Sequence, residues 1–211
     1  MKLIHIAAWL SLAISTSPFA QPISLTQFMS GDRATYTSAD NPKAKGVELS
    51  FDYPVSWEGQ AGKRPNVVQL VTSENGRGLE SCLLLIKDIP MPVGHTVTPQ
   101  DVAELFETSE LKDYTPSGSQ FITGAKTTID GQPVAWIHSV HEIDRAGIQI
   151  RMMSITYPVY FDKKLITFSC SISGRATTPM EAFEARYKEY LPLFQLIASS
   201  IVIHTKWKRR P

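Results

Sequence analysis

The chain has 211 residues, 43% hydrophobic and 19% charged, with a formal net charge of +1. That length and apolar fraction suit one domain with a real core, and the near-neutral balance argues against a dedicated nucleic-acid or polyanion binder. Cys82 and Cys170 have no Cys-x-x-Cys spacing and no nearby Cys or His, so neither a zinc site nor a thiol-exchange motif is expected.

Residues 1–20 read as a secretory signal peptide. Lys2 precedes an apolar run from Leu3 to Ile14, and small and polar residues follow up to Ala20. The run is shorter than the ~20 residues a membrane span needs. Cleavage after Ala20 is expected, although Pro18 occupies a position where a small residue is usual. It would remove Lys2 and no acid, taking the formal charge from +1 to zero. No Cys follows the apolar run to carry a lipid, and no second long apolar run exists. The expected mature chain is periplasmic or secreted, with no stable membrane anchor.

Residues 21–45 form a polar leader with one short strand and a turn at Asp40-Asn41-Pro42. In residues 47–53, Val47, Leu49, Phe51 and Tyr53 alternate with polar residues, which predicts a strand. Pro54 ends it because proline cannot donate to a ladder. Trp57 is expected to fold back as an apolar lid. Two further strands cover 66–72 and 80–89, separated by a loop containing Asn75-Gly76. In the second, Cys82, Leu84 and Ile86 alternate with Leu83 and Leu85. Two apolar faces predict a central strand covered on both sides. Pro90 and Pro92 end that strand.

A helix begins at Thr98, the N-cap, with Pro99 and Asp101 in its first turn and Val102, Leu105 and Phe106 as its buried stripe. Glu104, Glu107 and Glu110 read as its solvated side. Strand-like runs follow at 120–129, 133–143, 148–160 and 165–173. Their links, among them Asp130-Gly131 and Arg145-Ala146-Gly147, are short enough to require antiparallel neighbours. The apolar parity changes at Met152-Met153, which predicts either a bulge or a strand with two buried faces.

Thr178-Pro179-Met180-Glu181 reads as a capping box opening a long helix. Its buried stripe is Phe183, Tyr187, Tyr190, Leu191, Phe194 and Ile197, and Pro192 must kink it or remove a hydrogen bond. Residues 204–211 form a basic tail with Lys206, Lys208, Arg209 and Arg210 around Trp207. Such a tail is either a solvated terminus or a contact for phosphate or lipid headgroups.

The strand end FDYPVSW at 51–57, the hairpins from 120 to 173 and the closing helix YLPLFQLIASSI at 190–201 resemble the PsbP-like superfamily and its bacterial DcrB-like members. The resemblance covers about residues 46–203. It implies an α+β fold, an antiparallel sheet of about six or seven strands flanked by helices in an α/β/α sandwich. It also implies a non-enzymatic binding, assembly or accessory role, with no catalytic residues to carry over and no cofactor. Bacterial members are often lipoproteins; this chain lacks the lipid-attachment Cys.

In an oxidising compartment Cys82 and Cys170 pair if the fold brings them together; otherwise they are two separate buried thiols. Sequence supplies no Cα separation to decide this. His138 and His141 lie three apart on a strand and so point to opposite faces, which argues against a shared metal ion. No Gly-x-Ser-x-Gly elbow is present, and Gly76-Arg77-Gly78 is too short for a phosphate loop. Trp57, Trp136 and His138 mark the candidate binding mouth; the competing reading places both indoles in the core. The expected function is an exported, non-enzymatic binding or accessory protein recognising a protein partner. The alternatives are an immunity or inhibitor protein against an exported toxin, and a hydrolase with a dispersed site.

Overall fold

Four long strands follow one another through the second half of the chain, because alternating sequence is interrupted only by residues suited to tight turns. They are β6 (Ser119–Ile129), β7 (Gln132–Arg145), β8 (Ile148–Phe161) and β9 (Lys164–Arg175). At the β6–β7 turn Asp130 and Gly131 have φ of 49° and 68°; at the β7–β8 turn Ala146 and Gly147 have φ of 53° and 81°. Two successive positive φ values match the twist of the flanking strands. The computed structural model describes residues 22–73, 79–92, 94–95, 97–108 and 110–208. The expected signal peptide, the Asn75-Gly76 loop with Gly76-Arg77-Gly78, and Arg209-Arg210 lie outside the described residues.

Three earlier strands complete the sheet: β3 (Glu58–Ala61), β4 (Val67–Thr72) and β5 (Glu80–Asp88). The order is β3-β4-β5-β9-β8-β7-β6, antiparallel throughout. A smaller antiparallel sheet has β2 (Leu49–Pro54) between β1 (Arg33–Thr37) and β10 (Val202–Ile203). The helices are α1 (Ile23–Ser30), α2 (Pro99–Thr108), α3 (Met180–Ser199) and the short α4 (His204–Lys208). The expected α+β sandwich, with an antiparallel sheet of about six or seven strands, is the observed architecture, and the sheet has seven.

The main core lies between one face of the large sheet and a layer made of α3, α1 and the small sheet. Leu84, Ile86, Ile155, Ile166 and Phe168 meet Phe183, Phe194, Ile197 and Phe51, all buried. Phe51 and Phe168 join the two sheets edge to face, with centroids 5.1 Å apart. A second, smaller core forms on the opposite face, where Val102 and Phe106 of α2 pack on Ala135, with Tyr114 and Tyr160 against them. In α3, Leu193 and Ala198 join the expected stripe in the core, while Tyr190 and Leu191 are only half-buried. Pro192 sits inside this helix on its exposed side, where water can satisfy the carbonyl it leaves free.

Cys82 and Cys170 are directly opposed on β5 and β9 and form a disulfide, with Cα atoms 4.0 Å apart. Both are buried in the main core.

Several local expectations change in three dimensions. The leader contains α1 as well as β1. Leu25 and Phe28 anchor this helix in the core, and the Arg33 guanidinium lies 4.2 Å from the Phe28 centroid while its Nε donates to the Phe28 carbonyl at 2.6 Å. The capping box does not form; α3 begins at Pro179 without a side-chain cap. The parity change in β8 is no bulge, since its register is continuous with both neighbours. Instead Thr156 and Pro158 are buried on one face and Ile155, Tyr157 and Val159 on the other. On β5 the Cys82, Leu84, Ile86 face is buried but Leu83 and Leu85 are only half-buried, because α2 packs over β7 and β8 instead.

That second face carries an unexpected row of hydroxyls. Thr72, Ser81, Ser171, Ser154 and Ser139 stand opposite one another across β4, β5, β9, β8 and β7. Ser81 bonds Ser171 at 3.3 Å and Ser139 bonds Ser154 at 3.1 Å; one row along, Thr156 bonds Ser169 at 2.8 Å. Serine and threonine residues that alternate as a solvent face in sequence thus pair across strands, except Thr72, whose Oγ1 is buried without a partner among the described residues.

Candidate functional site

The candidate site begins where the large sheet parts. β7 and β8 pair from Arg145↔Ile148 to Ile137↔Thr156 and no further. Yet β7 stays with β6 down to Gln132, and β8 stays with β9 out to Phe161. Pro158 lies just beyond the last β7–β8 pair, and its missing N–H suits a place where the ladder has stopped.

At this end of the sheet is a cavity of about 330 Å³. Val97, Pro99, Tyr160 and Phe161 supply its apolar walls, and Gln132, Asp162 and Lys206 its polar groups. Gln132 is only 5% exposed, yet it lines the cavity. The Asp162 carbonyl accepts from Val97 N at 3.3 Å, which fixes one wall to the β8–β9 turn.

Lys206 reaches the cavity because the C-terminal segment is docked. The Asp130 carboxylate accepts from Ile203 N at 3.0 Å and from Trp207 Nε1 at 3.1 Å, and the Asp130 carbonyl accepts from Lys206 Nζ. On the other side Glu48 N donates to Thr205 Oγ1 at 2.7 Å, and Lys208 pairs with the Glu48 carboxylate. The described part of the basic tail is therefore docked on the domain, with Trp207 and Lys208 still exposed. Lys206 also lies 4.8 Å from the Trp207 ring centroid and has no carboxylate partner among the described residues.

The three residues of the expected mouth do not meet. Trp57 is 5% exposed, packs in the main core and immediately precedes β3 at one end of the strand order. Trp136 and His138 are on β7, near the other end, where their ring centroids are 4.8 Å apart. His138 is edge-on to Tyr187 of α3, with centroids 5.5 Å apart. His138 Nε2 and Tyr187 Oη are both buried without a partner among the described residues. His141 pairs with Met152 across the sheet and bonds the Gly118 carbonyl at 2.7 Å through Nδ1, on the opposite face from His138. Among the described residues no group of three or more His, Cys, Asp and Glu is placed to hold a metal ion.

Burial lowers the His138 pKa below its ordinary 6.5, and burial raises that of Tyr187, with Tyr157 nearby adding to the rise. The unfolded chain takes up the imidazole proton as pH falls through about 6.5, before the folded chain does. Stability attributable to His138 is therefore complete above that pH and declines as the pH drops through it. In denaturant titrations, His138→Phe is expected to flatten the slope of stability against pH between pH 7 and 5. Equal slopes for the two proteins would remove His138 as the cause.

No local pattern marks the cavity residues in the sequence; Pro158 inside a strand run is the one sign that pairing stops nearby. No family model matches the chain, and no curated protein matches it. Among solved structures it is similar to LpqN of Mycobacterium tuberculosis, a protein involved in cell envelope biogenesis. That match has 9% identity over 85% of this chain and 96% of that one, with a TM-score of 0.42. A structure from Bacteroides thetaiotaomicron VPI-5482 matches at 13% identity over 74% of this chain and 44% of that one, with a TM-score of 0.36. Likeness at this level transfers no residue roles.

Proposed function

We propose that this chain is an exported binding or accessory protein of the PsbP-like kind, and that it engages a protein partner through the open edge of its large sheet. The observation that carries the reading is β6. It is 11 residues long, ends the strand order, and is largely exposed. A free edge presents unpaired N–H and C=O groups to which an extended segment of another protein can add as a strand. The cationic group on β6, Lys126, is already engaged by Glu107 of α2, so it offers little charge repulsion to an incoming strand. The buried Cys82–Cys170 disulfide supports an oxidising compartment, periplasmic or extracellular.

The test uses chain purified from the exported fraction, whose intact mass should begin near Gln21. Used as bait against the same fraction, it should retain a stoichiometric protein at high salt. Hydrogen exchange of Ser119–Ile129 amides should slow in that complex. A blank capture, or a complex in which β6 exchange is unchanged, would overturn the edge-pairing reading.

A further inference from the structure

We propose that the cavity at the parting of β7 and β8 binds a small monocarboxylate with an apolar body. This site is separate from the β6 edge and does not depend on it. Three observations converge. The first is the walls: Val97, Pro99, Tyr160 and Phe161 give the apolar side of an open hollow of about 330 Å³, at the small end of ligand pockets. Such a volume suits a single aromatic ring or a short chain.

The second is Gln132. It is only 5% exposed, yet it lines the cavity. It has both a donor and an acceptor to offer. It follows directly on the Asp130-Gly131 turn, which the C-terminal segment holds through the Asp130 carboxylate.

The third is Lys206. Its ammonium spends one donor on the Asp130 carbonyl, has no carboxylate partner among the described residues, and borders the same cavity. It has donors left for a carboxylate. Asp162 also borders the cavity, and an acidic residue on the lining favours a monoanion over a phosphate ester or dicarboxylate. In the bound arrangement, the carboxylate lies between Lys206 and the Gln132 amide while the apolar body enters between the tyrosine and phenylalanine and the Val97–Pro99 wall.

The experiment is titration calorimetry of the purified full chain with 3-phenylpropionate and with 2-phenylethylamine, its cationic counterpart. Saturable binding of the carboxylate and none of the amine are expected. Lys206→Met should weaken carboxylate binding about tenfold or more, as loss of a charge-assisted hydrogen bond implies. Lys206→Arg should largely retain it. Gln132→Glu, which places a second carboxylate in the slot, should abolish carboxylate binding and admit the amine. Thermal midpoints of each variant separate loss of the site from loosening of α4. Absence of saturable binding, equal binding of the amine by the unaltered chain, or carboxylate binding that survives both Lys206→Met and Gln132→Glu would overturn the proposal.

Discussion

Replacing Cys82 and Cys170 together by alanine is expected to lower stability by about 4 kcal/mol, because the bridge closes a long loop in the unfolded chain. The two cysteines are 88 residues apart, so one bond ties the first part of the large sheet to its last strand. For a domain of this size that loss corresponds to a fall in Tm of about 8–16 °C. Each single replacement should cost nearly as much as the pair, since either one breaks the bond, and the cycle should therefore be far from additive. Denaturant unfolding of the four proteins would show this. A loss below about 1 kcal/mol for the double replacement would mean that the unfolded chain gains little freedom when the bridge goes. Because both side chains are buried in the core, thiol reductant in native buffer should act only as fast as β5 and β9 open.

The second large effect concerns Glu80. This carboxylate begins β5 and is only 2% exposed. One oxygen accepts from the Arg186 guanidinium of α3, and the other accepts from Ser73 Oγ at 2.5 Å. Arg186 also reaches the Ser173 carbonyl at 3.4 Å, so it spans from helix to sheet. Arg186→Ala would leave a charge buried with a single hydroxyl donor, and is expected to cost about 3 kcal/mol, the lower end for a broken buried pair. The lower end applies because the Arg186 side chain is 33% exposed and water can enter where it stood. Glu80→Leu combined with Arg186→Leu removes both charges and should come within about 1 kcal/mol of the unaltered protein. Thermal and denaturant unfolding of the three proteins test this. If the double replacement is as damaging as Arg186→Ala, the pair is needed for more than charge balance, and the packing between α3 and β5 must be the dominant contribution.

Much of the fold is legible in local pattern. The four long hairpin strands are readable because alternation with period two and dipeptides such as Asp130-Gly131 are properties of neighbouring residues. α2 is readable for the same reason: Thr98 bonds Asp101 across its first turn, and Val102 and Phe106 fall on one face. α1 is not legible because its eight residues carry a weak periodic signal, and tertiary contacts of Leu25 and Phe28 with the core hold it. The capping box at 178–181 matched a pattern but failed because Arg151 takes the Thr178 carbonyl at 2.9 Å and the helix starts one residue later.

The candidate sites were less legible, and for one physical reason. Trp57, Trp136 and His138 were grouped by residue type, but β3 and β7 are separated by four intervening strands. Gln132 and Lys206 are ordinary polar residues, brought together by the docking of the C-terminal segment on Asp130 and on Glu48, contacts that span 76 to 160 residues. By itself the sequence determined the strands, their turns, the long amphipathic helix and two cysteines able to pair. These follow from dihedral preference and apolar periodicity, which act over a few residues. Tertiary structure decided the strand order, the disulfide, the parting of β7 from β8 and the cavity that opens there. Those depend on which distant surfaces bury one another, and no short stretch of the chain encodes that.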